Sequence, residues 1–126
     1  MKLTSFRFDD NGRVFLNSKC DGKIILYKQT WEDHIGGRPE RAQLKYNAEK
    51  IVETLQNPVD VVKSSKDEDI HLYYKVFSRW KRSESVDVAI YPEMKYTVVV
   101  VNSSKKIILT AYQSRKIKEG KSILGK

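Results

Sequence analysis

The sequence predicts an α+β domain in which two N-terminal helices pack on one face of a four- to five-stranded, mostly antiparallel sheet. Two observations predict this class. Apolar residues recur at helical spacing only in the first half of the chain, whereas alternating or continuous apolar runs follow Pro58. The chain of 126 residues, with 40% hydrophobic and 32% charged residues, has the composition of a single folded domain, 1–126, with one core.

Two turn signals precede the first predicted helix. Asn11-Gly12 and Asp21-Gly22 are dipeptides typical of hairpin turns, and the apolar runs beside them predict short strands. We therefore expect residues 1–23 to form an N-terminal hairpin extension on a core of residues 24–112.

Capping residues and apolar spacing predict the two helices. Thr30 is a candidate N-cap, with Asp33 three residues later, and predicts a short helix over residues 31–35 that ends at two glycines. Pro39 then suits the first turn of a second helix, predicted over residues 39–56. The apolar residues of that second helix recur every three or four positions: Leu44, Ala48, Ile51, Val52 and Leu55.

The second half of the chain predicts strands separated by polar turns. The predicted strands cover residues 59–62, 70–77, 86–90, 96–101 and 107–112. Four consecutive valines at 98–101 offer no polar face, so their strand is expected at the centre of the sheet, covered on both sides. Residues 113–126 are basic and are expected to form a loosely held C-terminal arm.

The positive charge is concentrated late in the chain. The net charge is +8, but residues 1–62 carry ten basic and nine acidic side chains, against fourteen and seven in residues 63–126. Such a field favours a polyanionic partner, because basic residues that neutralise phosphates release condensed counterions. A solvated basic surface is the alternative.

The sequence lacks the features of several classes of protein. A lone Cys20 forms no intramolecular disulfide, and the valine run is far shorter than the roughly 20 apolar residues that span a bilayer. We expect a cytoplasmic protein with no membrane partner. No metal-binding spacing or glycine-rich phosphate loop is present, so neither metal nor cofactor is expected.

The two histidines are the candidates for acid–base chemistry near neutral pH. His34 precedes Arg38, and an imidazole beside a guanidinium can meet a phosphate. His71 lies on a predicted strand, with Tyr73 and Lys75 on the same face. For each histidine, a structural or surface role is the alternative.

Polar and basic side chains on the late strands form a second candidate group. Thr110 and Tyr112 point to one face, where a hydroxyl and a phenol can hold phosphate oxygens, although both are also ordinary strand residues. The candidate nucleic-acid-binding residues are aromatic or cationic: Tyr74, Arg79, Lys81, Lys105, Lys106, Arg115, Lys116 and Lys118.

The order of several short motifs resembles that of a known nuclease superfamily. The motifs are Trp31-Glu32-Asp33-His34-Ile35, Arg38-Pro39-Glu40, Ile51-Val52-Glu53-Thr54-Leu55, Leu72-Tyr73-Tyr74-Lys75 and Leu109-Thr110-Ala111-Tyr112. In this order and spacing the chain resembles, over roughly residues 24–120, the phage and toxin members of the barnase–EndoU–colicin–RelE-like superfamily. In the segment after His34, where members of this superfamily often carry a further histidine, this chain has Gly-Gly-Arg-Pro-Glu at residues 36–40.

The resemblance implies a metal-independent endoribonuclease that cleaves RNA through attack of the 2′-hydroxyl, leaving a 2′,3′-cyclic phosphate. It implies His34 as the base, Arg38 and Lys75 as the groups that stabilise charge on the phosphate, and Thr110 or Tyr112 as the group that positions it. The implied partners are RNA, with tRNA as one candidate, and an acidic antitoxin or immunity protein. A non-catalytic nucleic-acid-binding module and a protein-interaction subunit are the alternatives.

Overall fold

The structure is a computed structural model that describes residues 6–36, 48–81, 91–114 and 120–124. Within these ranges seven strands form one mixed sheet in the order β1-β2-β6-β5-β4-β3-β7. The strands are β1 (Arg13–Ser18), β2 (Gly22–Tyr27), β3 (Asp60–Ser64), β4 (Ile70–Lys81), β5 (Tyr91–Asn102), β6 (Ile107–Ser114) and β7 (Gly120–Ser122). The β2–β6 pair is parallel, and the other neighbours are antiparallel.

The helices of the described residues are short. Helix α1 (Lys28–Thr30) runs directly into a π-helical turn, Trp31–Gly36, and α2 covers Ala48–Gln56. Thr30 is therefore the last residue of α1 rather than an N-cap, and the predicted helix residues 39–47 lie outside the described ranges. No helix in the described part of the chain is long and apolar enough to cross a bilayer.

The predicted architecture of two N-terminal helices on a four- to five-stranded sheet is wrong. The described residues contain seven strands with two short helices. The reason lies at the two ends of the chain. Strand β1 of the predicted hairpin extension pairs along its whole length with β2, and β7 of the predicted loose arm pairs with β3. Each end pairs with a strand, β2 or β3, that would otherwise lie at the edge of the sheet. The alternation of residues within one strand does not reveal such pairing.

The predicted central position of the valine strand is confirmed. Strand β5 is the middle one of the seven strands, and Val98, Val99 and Val101 are buried. The strand is longer than expected, because β4 and β5 pair from Ile70↔Asn102 to Lys81↔Tyr91. The predicted strand at 86–90 lies outside the described residues.

The two faces of the sheet carry separate apolar clusters. The helix face is defined by Tyr73, Val99 and Ala111, which pack with Ile35 and Leu55 from the helical segments. The second face carries Val62, Leu72, Tyr74 and Val98, with Tyr96, Val100 and Tyr112 packed against them. Side chains two apart on a strand thus share a face, as strand geometry requires.

Helix α2 is held on the helix face by the spacing of its apolar residues. Ala48, Ile51 and Leu55 are fully buried, at the three- and four-residue intervals that form one stripe. A carbonyl group in the last turn of α2 finds its hydrogen-bond donor in the β1–β2 turn: the Lys19 amide donates to the Leu55 carbonyl at 2.8 Å. This contact ties the turn that contains Asp21 to the helix.

Gly120 allows β7 to approach β3 closely. A Cβ atom at Gly120 would lie 2.3 Å from the Lys63 carbonyl oxygen and 2.6 Å from Val62 Cγ1. The obstacle is backbone, which does not move aside as a flexible side chain would. The glycine is therefore what lets residues 120–122, expected in a loose arm, join the sheet.

We predict that Gly120→Ala detaches β7 and lowers the free energy of unfolding by about 1–3 kcal/mol, the usual cost of an overpacked contact. The direct readout is hydrogen exchange of the Ile123 amide, which donates to the Val61 carbonyl at 2.8 Å. Gly22→Ala is the matched control, because a Cβ there meets open space and the strain of φ +67° stays in the β1–β2 turn. Unchanged Ile123 protection in Gly120→Ala would contradict the prediction.

Candidate functional site

His34 lies on the π-helical turn between two buried anchors. Trp31 and Ile35 point into the core, with exposures of 7% and 0%, and the Trp31 ring meets Phe6 edge-to-face at 5.0 Å. His34 is exposed on the same turn. The i, i+4 pair of apolar residues thus fixes the turn and leaves the imidazole toward solvent. π-Helical turns are rare and occur often at functional sites.

A hydrogen bond joins this turn to strand β6. Thr110 Oγ1 donates to the His34 carbonyl oxygen at 3.2 Å, across 76 positions of sequence. Strand β6 carries an irregularity just before Thr110, because Val100 pairs with Thr110 while Val101 pairs with Ile108. A bulge of this kind re-aims a side chain, and here it precedes the threonine that meets the turn. The fold therefore brings together His34 and Thr110, two of the predicted site residues.

A groove opens beside His34. Its volume is about 710 Å³, and its lining residues come from the Asp10–Gly12 turn region and the helical segment: Asn11, Gly12, Tyr27, Lys28, Gln29, Thr30, Glu32 and His34. Tyr27 is 39% exposed, which makes its ring a candidate platform for a base. Lys28 lies 4.0 Å from Glu32, and both side chains are 59% exposed, so their ion pair contributes little and leaves the ammonium group accessible.

A second cavity on the second face shares Thr110 with this region. Its volume is about 470 Å³, and it is lined by Ser64, Ser65, Lys66, Ile70, Leu72, Val100, Thr110 and Tyr112. Register places Thr110 opposite Val100 and Tyr112 opposite Val98, so both predicted polar side chains lie on the second face. Three of these lining residues, Ile70, Leu72 and Val100, are aliphatic, and the other five carry hydroxyl or ammonium groups.

The structure does not bring Lys75 to Thr110 and Tyr112. Lys75 pairs with Thr97 on the helix face, and its Nζ donates to the Asn57 carbonyl at 2.9 Å. The side chain therefore secures the end of α2, on the side of the sheet opposite Thr110. Arg38 lies outside the described residues.

The predicted nucleic-acid-binding residues are spread over several regions. Tyr74 is fully buried, and its ring packs edge-to-face on Tyr96 at 5.8 Å, so no face of it is open to a base. Lys105 and Lys106 are exposed in the β5–β6 turn. Arg79 and Lys81 belong to the far end of β4, where the structure describes the backbone alone. The remaining predicted residues, Arg115, Lys116 and Lys118, lie outside the described residues.

A buried polar network lies at the other end of the sheet, and the sequence did not predict it. Asp21 is 6% exposed, and its carboxylate lies 2.9 and 3.0 Å from His71 Nδ1. Tyr73 Oη donates to Asp21 Oδ2 at 2.6 Å and accepts from the Cys20 amide at 3.2 Å. Lys106 Nζ donates to the Asp21 carbonyl oxygen at 3.1 Å. The carboxylate thus fixes a proton on Nδ1 and leaves Nε2 as the second ring nitrogen of His71.

The position of Tyr73 predicts a pH dependence of stability. Burial, together with its hydrogen bond to Asp21, raises the pKa of the Tyr73 hydroxyl far above the ordinary value of 10.0. Above the ordinary value, the unfolded chain loses the phenolic proton while the folded chain keeps it. The unfolded state then binds fewer protons, so stability falls as pH rises. We expect urea midpoints between about pH 9 and pH 11 to fall more steeply in the wild type than in Tyr73→Phe. Parallel slopes would refute this.

In the ranges that the structure describes, no group of three or more His, Cys, Asp or Glu side chains is placed to hold a metal ion. Comparison with protein-family models, with curated proteins and with solved structures finds no match. The residues of the site are therefore what indicates its chemistry.

Proposed function

We propose that this protein is an endoribonuclease that cleaves RNA without a metal, with its active site at the His34 turn. The observation that carries the proposal is the hydrogen bond from Thr110 to the His34 carbonyl, which holds an exposed imidazole at the wall of a groove of about 710 Å³. An imidazole titrates near neutral pH, so it can accept a proton from a ribose hydroxyl.

The proposed reaction is an internal transfer of the phosphoryl group. His34 removes the proton of the 2′-hydroxyl, and the 2′ oxygen attacks the adjacent phosphorus. The bond from phosphorus to the 5′ oxygen breaks, and that oxygen takes a proton from water. The products are a 2′,3′-cyclic phosphate and a 5′-hydroxyl end.

Other groove residues have roles that follow from their chemistry. The exposed Tyr27 ring can stack on a base of single-stranded RNA, and Lys28 supplies a cation for a phosphate oxygen. Thr110 is a positioning residue, because its hydroxyl contacts the His34 backbone. We keep Arg38, four positions after His34, as the residue that stabilises charge on the phosphate.

The setting of this activity is part of the proposal. We place this activity in the cytoplasm, and a toxin or phage-related effector that performs it needs an inhibitor in the cell that makes it. With a net charge of +8, the chain suits an acidic antitoxin or immunity protein that covers the groove.

The test is cleavage of total RNA and of a tRNA pool by the purified full chain in excess EDTA, with analysis of the new ends. We expect 2′,3′-cyclic phosphate and 5′-hydroxyl ends. Saturable, salt-sensitive binding of RNA that stays intact would instead make the chain a nucleic-acid-binding module. If the chain neither cleaves nor binds RNA, the protein-interaction alternative remains.

A further inference from the structure

A row of three basic side chains crosses one edge of the sheet, far from His34 in sequence and on the helix face. Register pairs Lys121 of β7 with Lys63 of β3, and Lys63 with His71 of β4. Directly paired residues of antiparallel strands point to the same face, with Cβ atoms about 5 Å apart. Lys121, Lys63 and His71 therefore stand side by side on three neighbouring strands.

The two lysines of the row are a like-charged pair without a described counterion. Like charges directly opposite each other destabilise a strand pair. Among the described residues neither Lys63 nor Lys121 forms a salt bridge, although Glu68 borders the same hollow of about 520 Å³. Gly120 admits β7 to this position despite the repulsion. An anion bound between the two ammonium groups would remove that cost.

His71 completes the row with an oriented nitrogen. Its Nδ1 is held by Asp21, and its side chain is 14% exposed. The Asp21 side chain is itself buried, and its carboxylate accepts a hydrogen bond from Tyr73. The ring is thereby locked in one orientation, and Nε2, which has no partner in the described part of the chain, remains for a ligand. A protonated Nε2 donates a charge-assisted hydrogen bond to an oxyanion.

We propose that Lys63, Lys121 and His71 form a phosphate-binding site separate from the His34 groove. A phosphate group offers several acceptor oxygens and negative charge to donors that stand on neighbouring strands. The ligand is either inorganic phosphate or a phosphodiester of RNA held away from the cleavage site. The site does not depend on the proposed ribonuclease activity.

The test follows the two histidine rings by NMR while inorganic phosphate is added at constant pH and ionic strength, with chloride as the balancing anion. The chain has two histidines, so His34→Ala assigns both sets of ring signals. We expect phosphate to shift the His71 signals in a saturable way. No His71 shift would overturn the proposal, whether or not the protein cleaves RNA.

Charge variants distinguish a specific phosphate-binding site from diffuse electrostatic attraction. Lys63→Gln and Lys121→Gln should each weaken phosphate binding about fivefold, while Lys63→Arg should retain it. Lys23→Gln is the matched control, because Lys23 is an exposed strand residue near the opposite edge of the sheet. An equal loss of affinity in Lys23→Gln would mean diffuse attraction and would overturn the proposal.

A second arm identifies the source of the phosphate. A short oligouridine is added to the His34→Ala protein, in which cleavage through His34 is removed. A His71 shift that is lost in Lys63→Gln indicates the RNA backbone as the ligand. A response to inorganic phosphate but not to the oligouridine indicates a free phosphate ligand. Both results support the site, and a His71 ring that responds to neither compound excludes it.

Discussion

Replacing His34 with alanine is expected to lower kcat for RNA cleavage about 100- to 10,000-fold, the usual contribution of a general base. The effect should fall on kcat more than on KM, because the imidazole acts on the reacting proton rather than on the rest of the RNA. Single-turnover cleavage of an oligonucleotide, with folding monitored by circular dichroism, measures it. Asp33→Ala is the matched control, since Asp33 is exposed on the same turn.

Thr110 tests whether the geometry behind this prediction is right. Thr110→Val keeps the shape of the side chain and removes the hydroxyl that donates to the His34 carbonyl. We expect a smaller loss in kcat, about tenfold, with recovery in Thr110→Ser. Full activity in Thr110→Val would mean that the hydrogen bond does not position His34. Full activity in His34→Ala would remove His34 from the mechanism altogether.

Replacing Asp21 with alanine is expected to destabilise the protein by about 3 kcal/mol, because one buried donor and one part-buried donor lose their acceptor. His71 Nδ1 and Tyr73 Oη both meet the Asp21 carboxylate, which fastens the β1–β2 turn to the sheet. Urea unfolding followed by tryptophan fluorescence measures the loss. Asp10→Ala, in an exposed turn, is the control and should change stability by less than about 0.5 kcal/mol.

A double-mutant cycle shows whether the network acts as a unit. Once Asp21 is gone, Tyr73→Phe removes an already unpaired hydroxyl, so the second substitution should cost much less than it does in the wild type. Additive losses would show that the 2.6 Å hydrogen bond contributes little to stability. A cost below about 1 kcal/mol for Asp21→Ala would likewise contradict the prediction.

Features carried by neighbouring residues were predictable. The spacing of Ile51 and Leu55 predicted α2, and the valine run predicted the central strand. The alternation that put Thr110 and Tyr112 on one face is confirmed by their pairing with Val100 and Val98. These patterns follow from the periods of helix and strand, which act within a few residues.

The partners of the strands and of the polar residues were not predictable in this way. No local pattern relates Asp21 to His71, 50 positions apart, and a His on a strand gave no sign that its ring nitrogen meets a buried carboxylate. The one available signal was the Asp21-Gly22 turn, which places an aspartate at the end of a hairpin. Lys75 was placed correctly on the face of His71 and Tyr73, but that face proved to be opposite Thr110.

Residue spacing and composition established the helical and strand segments, the central valine strand and the late excess of positive charge. The tertiary fold set which side chains meet. It gave the predicted arm a strand beside β3, joined Thr110 to the His34 turn, and placed Lys121, Lys63 and His71 in one row. This division arises because periodicity assigns a residue to a face, whereas strand order and register depend on pairing the strand edges and burying both faces at once.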